Sequence, residues 1–121
     1  EAKHVDSNST IITDAPKDNK GKGEYFSPTD LVCTALASCI LTIMGIAAQK
    51  YQLSIKGTTA KVIKHMSQNP RMIAKIEVDI YFPSNYNSKI KKILERSAHN
   101  CPVHKSISKK TLKIIKFHYQ M

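Results

Sequence analysis

The length, composition and charge of this chain are those of one ordinary folded domain. It has 121 residues, of which 41% are apolar and 23% are charged, so it can bury a core without disulfides or a structural metal. The net formal charge of +10 raises the question of an acidic partner such as nucleic acid. Only Arg71 and Arg96 are arginines among 19 basic residues, and the lysines are spread over every segment, so we expect no nucleic-acid partner.

The three cysteines, Cys33, Cys39 and Cys101, limit the compartment and the chemistry. Their odd number argues against a framework of structural disulfides, and the polar first residues do not resemble a signal peptide. We therefore expect a reducing, cytoplasmic compartment in which the thiols are free or catalytic. The first residue is Glu1 rather than Met, so we allow for a preceding segment that is missing here.

The N-terminal part of the chain is predicted to hold short strands and a loop. Residues 4–13 place a few apolar residues among polar ones, which predicts one or two edge strands joined by a turn at residues 6–9. Residues 14–23 read DAPKDNKGKG, a polar loop with one proline and two glycines.

A long uncharged helix is predicted to follow, because Ser27-Pro28 is a strong helix start. No charged residue occurs from Leu31 to Ala48, a length at the lower limit for a membrane span. We favour a buried central helix and no membrane, since the rest of the chain is amphipathic. A helix that is apolar on all sides must be covered on all sides, which one small domain can hardly do. The sequence therefore predicts a dimer.

The second half of the chain is predicted to add a hairpin, a helix and a last strand. Residues 53–66 and 72–82 are expected to pair as antiparallel strands, and the second of them alternates well between apolar and polar residues. Residues 87–99 have the spacing of an amphipathic helix, Cys101-Pro102 opens a short helical turn, and residues 111–119 form the final strand.

Two of the thiols are candidates for chemistry. Cys101 precedes Pro102 at a helix start, with His99 and His104 close in sequence, and such a setting favours the reactive thiolate. Cys39 lies in the middle of the apolar helix, where an inert buried thiol is the alternative interpretation. Cys33 lies about 120° away from Cys39 around that helix and is predicted to be structural.

A metal site is the other interpretation of these side chains. His99, Cys101 and His104 could supply ligands, with Cys39 as a fourth, but the paired spacing that is typical of zinc sites is absent. We therefore predict no metal and no cofactor.

Two stretches carry a resemblance to a known family. They are GEYFSPTDLVCTALASCILTIMGI, from Gly23 to Ile46, and AHNCPVHKSI, from Ala98 to Ile107. Together they resemble the OsmC/Ohr family of osmotically inducible and organic hydroperoxide resistance proteins. The resemblance covers nearly the whole chain and implies a single OsmC-like domain over residues 1–121. It also implies an α+β fold, with an antiparallel sheet, a long buried central helix and an intertwined homodimer.

The resemblance also implies an activity and its residues. Cys39 matches the cysteine that attacks peroxide, and Cys101 matches the resolving cysteine, so the implied enzyme is a thiol peroxidase that reduces organic hydroperoxides in oxidative stress defence. Its implied partners are the hydroperoxide substrate, a dithiol reductant, in some members of lipoyl type, and a second copy of the chain.

The chain departs from the family pattern at two places. Thr29 stands where the better-known peroxidases have a Glu, so the acid at this helix start is Asp30, and residues 1–26 lack the Arg that activates the thiolate. Glu24, Thr29 and Asp30 are candidate supporting residues, and Lys22 or a His is a candidate for the missing cation. These departures leave a second hypothesis open: a non-enzymatic protein that senses redox state or binds a lipid-like ligand.

Overall fold

The structure is a computed structural model that describes residues 1–120 and divides into two compact units. The first unit comprises residues 1–32 and the second begins at Cys33. The long helix begins in the first unit and continues through the second. The single domain over residues 1–121 stays a prediction.

The first unit consists of a small hairpin, a loop and the start of the long helix. Strands β1 (Ala2–Lys3) and β2 (Thr10–Ile11) pair antiparallel. Both are shorter than predicted, and β1 lies before the range 4–13 in which the strands were expected. In the loop, a single turn of 3-10 helix covers Lys17–Asn19. Gly21 is required there because a Cβ atom at this position would lie 1.7 Å from the carbonyl oxygen of Ala15.

Helix α1 spans Pro28–Gln49, as the capping signal and the uncharged run predict. One face of the helix is buried in the core, but the opposite face is exposed, so within one chain α1 is only half covered. The buried positions recur every three or four residues and are Cys33, Leu36, Ala37, Ile40, Met44 and Ala48. By length and apolar composition α1 would also pass as a membrane span, a test that the core helices of soluble proteins pass too.

The sheet of the second unit has three strands in the order β3-β4-β5. Strands β3 (Thr59–Ser67) and β4 (Met72–Tyr81) form the predicted antiparallel hairpin. Strand β5 (Leu112–His118) pairs with β4 in parallel, so the prediction of an antiparallel sheet is wrong for this pair. The physical reason is the crossover: two helices carry the chain back across the sheet before β5 begins, and such a return gives parallel strands.

Residues 53–58 correct a second detail of the predicted hairpin. They form a loop instead of the first part of a strand. Leu53 and Ile55 nevertheless pack against the core from this loop, which explains the apolar pattern that resembled a strand. Gly57 has a φ of 95°, a conformation that favours glycine and ends the loop just before β3.

Helices α2 (Ser88–His99) and α3 (Pro102–Ser106) form the crossover between β4 and β5. The side chain of Asn87 caps α2 by accepting a hydrogen bond from the Ile90 amide. The apolar stripe of α2 and the inward side chains of β4 complete one core with α1. Its members outside α1 are Ile76, Val78, Ile80, Phe82, Leu94, Ala98 and Cys101.

Candidate active site

Cys39 lies in the middle of α1, at the boundary between the buried and exposed faces of the helix. Its neighbours Leu36 and Ile40 are fully buried, whereas Ser38 is exposed. Cys39 itself is half-buried. The Cys39 side chain packs against the apolar core on its buried side.

Cys101 lies at the junction between α2 and α3, where it is the N-cap residue of α3. Its Sγ atom accepts a hydrogen bond from the backbone N–H of His104 at 3.2 Å, and Pro102 follows at the first helical position. The side chain is completely buried. The sequence places a cysteine where a serine or threonine is usual, so the thiol replaces a hydroxyl as the cap.

The fold brings the two cysteines together, although they are far apart in sequence. The Cys39 thiol lies close enough to Cys101 to raise the pKa of Cys101, and all three cysteines of the chain are free thiols. Burial raises this pKa most, the neighbouring Cys39 thiol adds to the effect, and the backbone amides of His104 and Val103 act in the opposite direction. Cys101 therefore holds its proton more firmly than an ordinary thiol does.

This result corrects one expectation from the sequence. The histidines beside Cys101 and its place at a helix start were expected to favour the thiolate, but burial prevails and raises the pKa of Cys101. His104 is not a source of positive charge either, because burial, Lys113 and His99 lower its pKa. Lys113 was not singled out from the sequence, since only the crossover brings the start of β5 beside α3.

The third cysteine, Cys33, lies on the inner face of α1. It is 3% exposed and belongs to the core, in agreement with its predicted structural position. Among residues 1–120, no group of three or more His, Cys, Asp or Glu side chains could hold a metal ion.

The candidate supporting residues Glu24, Thr29 and Asp30 all lie in the first unit. Asp30 and Ser27 form a reciprocal cap at the start of α1: the Ser27 amide donates to Asp30 Oδ2 at 3.0 Å, and the Asp30 amide donates to Ser27 Oγ at 3.1 Å. The hydroxyl of Thr29 lies 3.2 Å from that of Ser27. Asp30 therefore has a structural role as a helix cap, and its supporting role in chemistry stays a prediction.

Glu24 occupies a different environment. It is exposed and lines a cavity of about 360 Å³ with Tyr25, Phe26 and Asp30, entirely within the first unit. Its backbone amide donates to a carboxylate oxygen of Asp14 at 3.3 Å, which holds the segment before α1 in place. Its role in chemistry likewise stays a prediction.

The fold and the paired thiols define an α+β protein with a dithiol site, and comparison with known proteins identifies the family. A model of the OsmC-like protein family matches residues 21–115. The chain therefore belongs to the OsmC-like family. No curated protein matches it.

Solved structures agree with this assignment. A Psychrobacter arcticus protein named for osmotic stress and detoxification response is 47% identical, with a TM-score of 0.92, over 96% of this chain and 85% of the other. Two distant structures show the same fold. An organic hydroperoxide resistance protein OsmC from Legionella pneumophila is 12% identical with a TM-score of 0.71, over 87% of this chain and 78% of the other. One from Elizabethkingia anophelis is 15% identical with a TM-score of 0.68, over 88% and 78%.

Proposed function

We propose that this protein is a thiol-dependent peroxidase that reduces organic hydroperoxides through Cys39 and Cys101. The observation that carries the proposal is the pair of neighbouring free thiols, of which Cys39 is half-buried and Cys101 is completely buried. The family includes proteins named for organic hydroperoxide resistance, which supports the same reaction class. Its place would be the reducing cytoplasm, in defence against oxidative stress.

The reaction follows from the different environments of the two thiols. The Cys39 thiolate attacks the distal oxygen of the hydroperoxide, the O–O bond breaks, and Cys39 becomes a sulfenic acid, while the departing alkoxide takes a proton from water and leaves as the alcohol. The sulfur of Cys101 then attacks the sulfur of Cys39, water leaves, and a disulfide forms. An external dithiol transfers two electrons to this disulfide and restores both thiols.

The raised pKa of Cys101 suits the resolving role. A buried thiol that keeps its proton reacts slowly with peroxide, because the thiolate is the nucleophile. The same thiol lies beside Cys39, so it is the nearest nucleophile for the sulfenic acid, and its proton leaves with the hydroxyl of Cys39 as water. Cys39 packs against the apolar core, and these apolar surroundings favour a hydrophobic hydroperoxide over hydrogen peroxide.

The exposed face of α1 supports assembly with a second copy of the chain. Ala35, Ser38, Thr42 and Ile46 are exposed along one side of the helix, and this side carries no charge. Small uncharged residues at this spacing let a second helix approach closely. A homodimer formed here would cover this face and border Cys39, and light scattering in solution should give the mass of two chains.

The second candidate is a protein that binds a lipid-like ligand or senses redox state without catalysis. The observation in its favour is a cavity of about 420 Å³ between the second half of α1 and residues 53–56. Leu41, Ile46, Leu53 and Ile55 give it apolar walls, and Lys56 could pair with an acidic head group. Binding of a fatty acid to the reduced protein without any consumption of hydroperoxide would favour this candidate.

The deciding experiment uses the wild type, Cys39→Ser and Cys101→Ser, each treated with one equivalent of cumene hydroperoxide. The wild type should lose two of its three thiols and about two mass units, as expected for one disulfide. Cys101→Ser should stop at a sulfenic or over-oxidised Cys39, and Cys39→Ser should not react. Cys33→Ser is the matched control and should behave as the wild type. Three unreacted thiols in the wild type would exclude the peroxidase.

A further inference from the structure

The C-terminal fifth of the chain has an unusual charge distribution. From Ser97 to Gln120 there is no Asp or Glu, whereas the segment contains five lysines and three histidines. It therefore supplies five of the ten net positive charges of the protein. The segment begins just before Cys101, so a net positive charge follows this cysteine in the sequence.

The fold places the first part of this segment around α3. We call four lysines of this segment the basic C-terminal surface: Lys105, Lys109, Lys110 and Lys113. The rings of His99 and His104 lie 6.0 Å apart. Lys113 is close enough to His104 for its charge to lower the pKa of that histidine, after the larger effect of burial. Lys113, at the start of β5, therefore lies near His104 of α3, whose backbone amide donates to Cys101 Sγ.

The lysines of this surface differ in how firmly they are held. The Lys113 ammonium donates to the carbonyl oxygens of Ser108 and Thr111, at 3.1 and 3.0 Å, and is fixed at the turn before β5. Lys105, Lys109 and Lys110 are exposed. These four lysines together produce a positive potential at the protein surface, and such a potential attracts anions from a distance.

We propose that the basic C-terminal surface docks an acidic dithiol reductant against the oxidised Cys39–Cys101 pair. This inference rests on the proposed function, since it names the partner of the last step in the cycle. Charge complementarity selects the partner: a dithiol that carries, or is presented beside, carboxylates is drawn to this surface, and a neutral or cationic dithiol is not.

The exposure of the two sulfurs sets the order of the exchange. One thiolate of the reductant attacks the half-buried Cys39 sulfur, the protein S–S bond breaks, and Cys101 leaves as a thiolate and takes up a proton. The His104 amide, which donates to Cys101 Sγ, stabilises that leaving group. The second thiol of the reductant then attacks the mixed disulfide and releases Cys39. Two electrons move to the protein, and the reductant ends as its own disulfide.

The test compares two dithiols that differ in charge only at a remote group. Dihydrolipoate carries a carboxylate, and dihydrolipoamide carries a neutral amide in its place. The rate at which each reduces the protein disulfide is measured by acid quench and thiol labelling, and is divided by its rate with the neutral 2-hydroxyethyl disulfide. We expect dihydrolipoate to be roughly tenfold faster at low salt. The advantage should vanish near 1 M salt, where the screening length is about 3 Å.

Two triple variants locate the effect. In the first, Lys105, Lys109 and Lys110 are replaced by Gln, which should remove most of the dihydrolipoate advantage while leaving the dihydrolipoamide rate unchanged. In the matched control, Lys50, Lys61 and Lys89 are replaced by Gln; they are exposed residues after α1, in β3 and in α2. The control removes the same net charge and should keep the advantage.

The outcomes separate this inference from the proposed function. The protein disulfide can be formed with diamide, so the docking test runs even if cumene hydroperoxide does not oxidise the protein. Equal normalised rates for the two dithiols, or an equal loss in both triple variants, would overturn the docking surface. Salt-dependent binding of duplex DNA that blocks dihydrolipoate and is lost in the first triple variant would assign the surface to nucleic acid instead.

Discussion

Two helix starts in this protein have the same local design and different uses. Ser27-Pro28 begins α1 and Cys101-Pro102 begins α3, and each cap residue is buried. Ser27 Oγ accepts from the amide three residues later at 3.1 Å, and Cys101 Sγ accepts from the amide three residues later at 3.2 Å. Each cap carbonyl also accepts the first helical hydrogen bond, from Leu31 and from Lys105.

The difference lies in what surrounds the cap atom. At Ser27 the carboxylate of Asp30 accepts a hydrogen bond from the Ser27 amide, so the cap is closed by a second bond and stabilises a helix of 22 residues. At Cys101 the cap atom also meets the Cys39 thiol from another helix. One capping geometry therefore stabilises a long helix in the first case and holds a buried thiol beside Cys39 in the second.

The largest loss of stability should come from a substitution in the core that packs around Cys101 at the start of α3. Leu94 on α2 is fully buried in the same cluster as Cys101, so Leu94→Ala should lower the free energy of unfolding by about 2–5 kcal/mol. The variant should also make Cys101 easier to alkylate in the folded protein. Urea unfolding and timed thiol labelling measure both, with the exposed Lys92→Ala as control. An unchanged labelling rate would mean that α2 packing does not hold the thiol in place.

Substitutions of the two cap residues should have smaller effects on stability and should distinguish helix capping from thiol chemistry. Ser27→Ala should cost about 1 kcal/mol of stability, because it removes the cap of α1, and should leave peroxide-driven thiol loss unchanged. Cys101→Ser should unfold at a higher urea concentration than Cys101→Ala, since the hydroxyl still accepts the His104 amide. Neither Cys101 variant should form the disulfide. Equal midpoints for the two Cys101 variants would show that the cap bond at α3 contributes nothing.

The smallest effect should be a pH dependence of stability that arises from His104, in the helix that Cys101 caps. Burial, then Lys113 and His99, lower the pKa of His104 in the folded protein, so the unfolded chain binds a proton there more readily. The neutral His104 side chain therefore makes its full contribution to the free energy of unfolding above its unfolded pKa of about 6.5. This contribution is lost as the pH falls below that value. His104→Gln should flatten the decrease in stability between about pH 7 and pH 5, relative to His4→Gln as the matched control. An identical decrease in both variants would contradict this origin.

Local signals in the sequence identified most elements of the fold. The Ser27-Pro28 cap and the uncharged run predicted α1, alternation predicted β4, and the spacing of Ile90 and Leu94 predicted α2. These signals depend on neighbours within a few residues, so they can be read without the fold. The parallel pairing of β5 could not be read in this way, because the direction of a strand in a sheet depends on the crossover that precedes it.

The sequence by itself determined the order of the elements, the uncharged helix that carries Cys39, the capped junction that carries Cys101 and the excess of positive charge after Ser97. Only the tertiary structure decided that the two thiols meet, that one stays half-exposed while the other is buried, and that burial raises the pKa of Cys101. The physical reason is that propensity and capping act over a few residues. Hydrogen bonding between distant side chains and the removal of water from a thiol depend on how the elements pack.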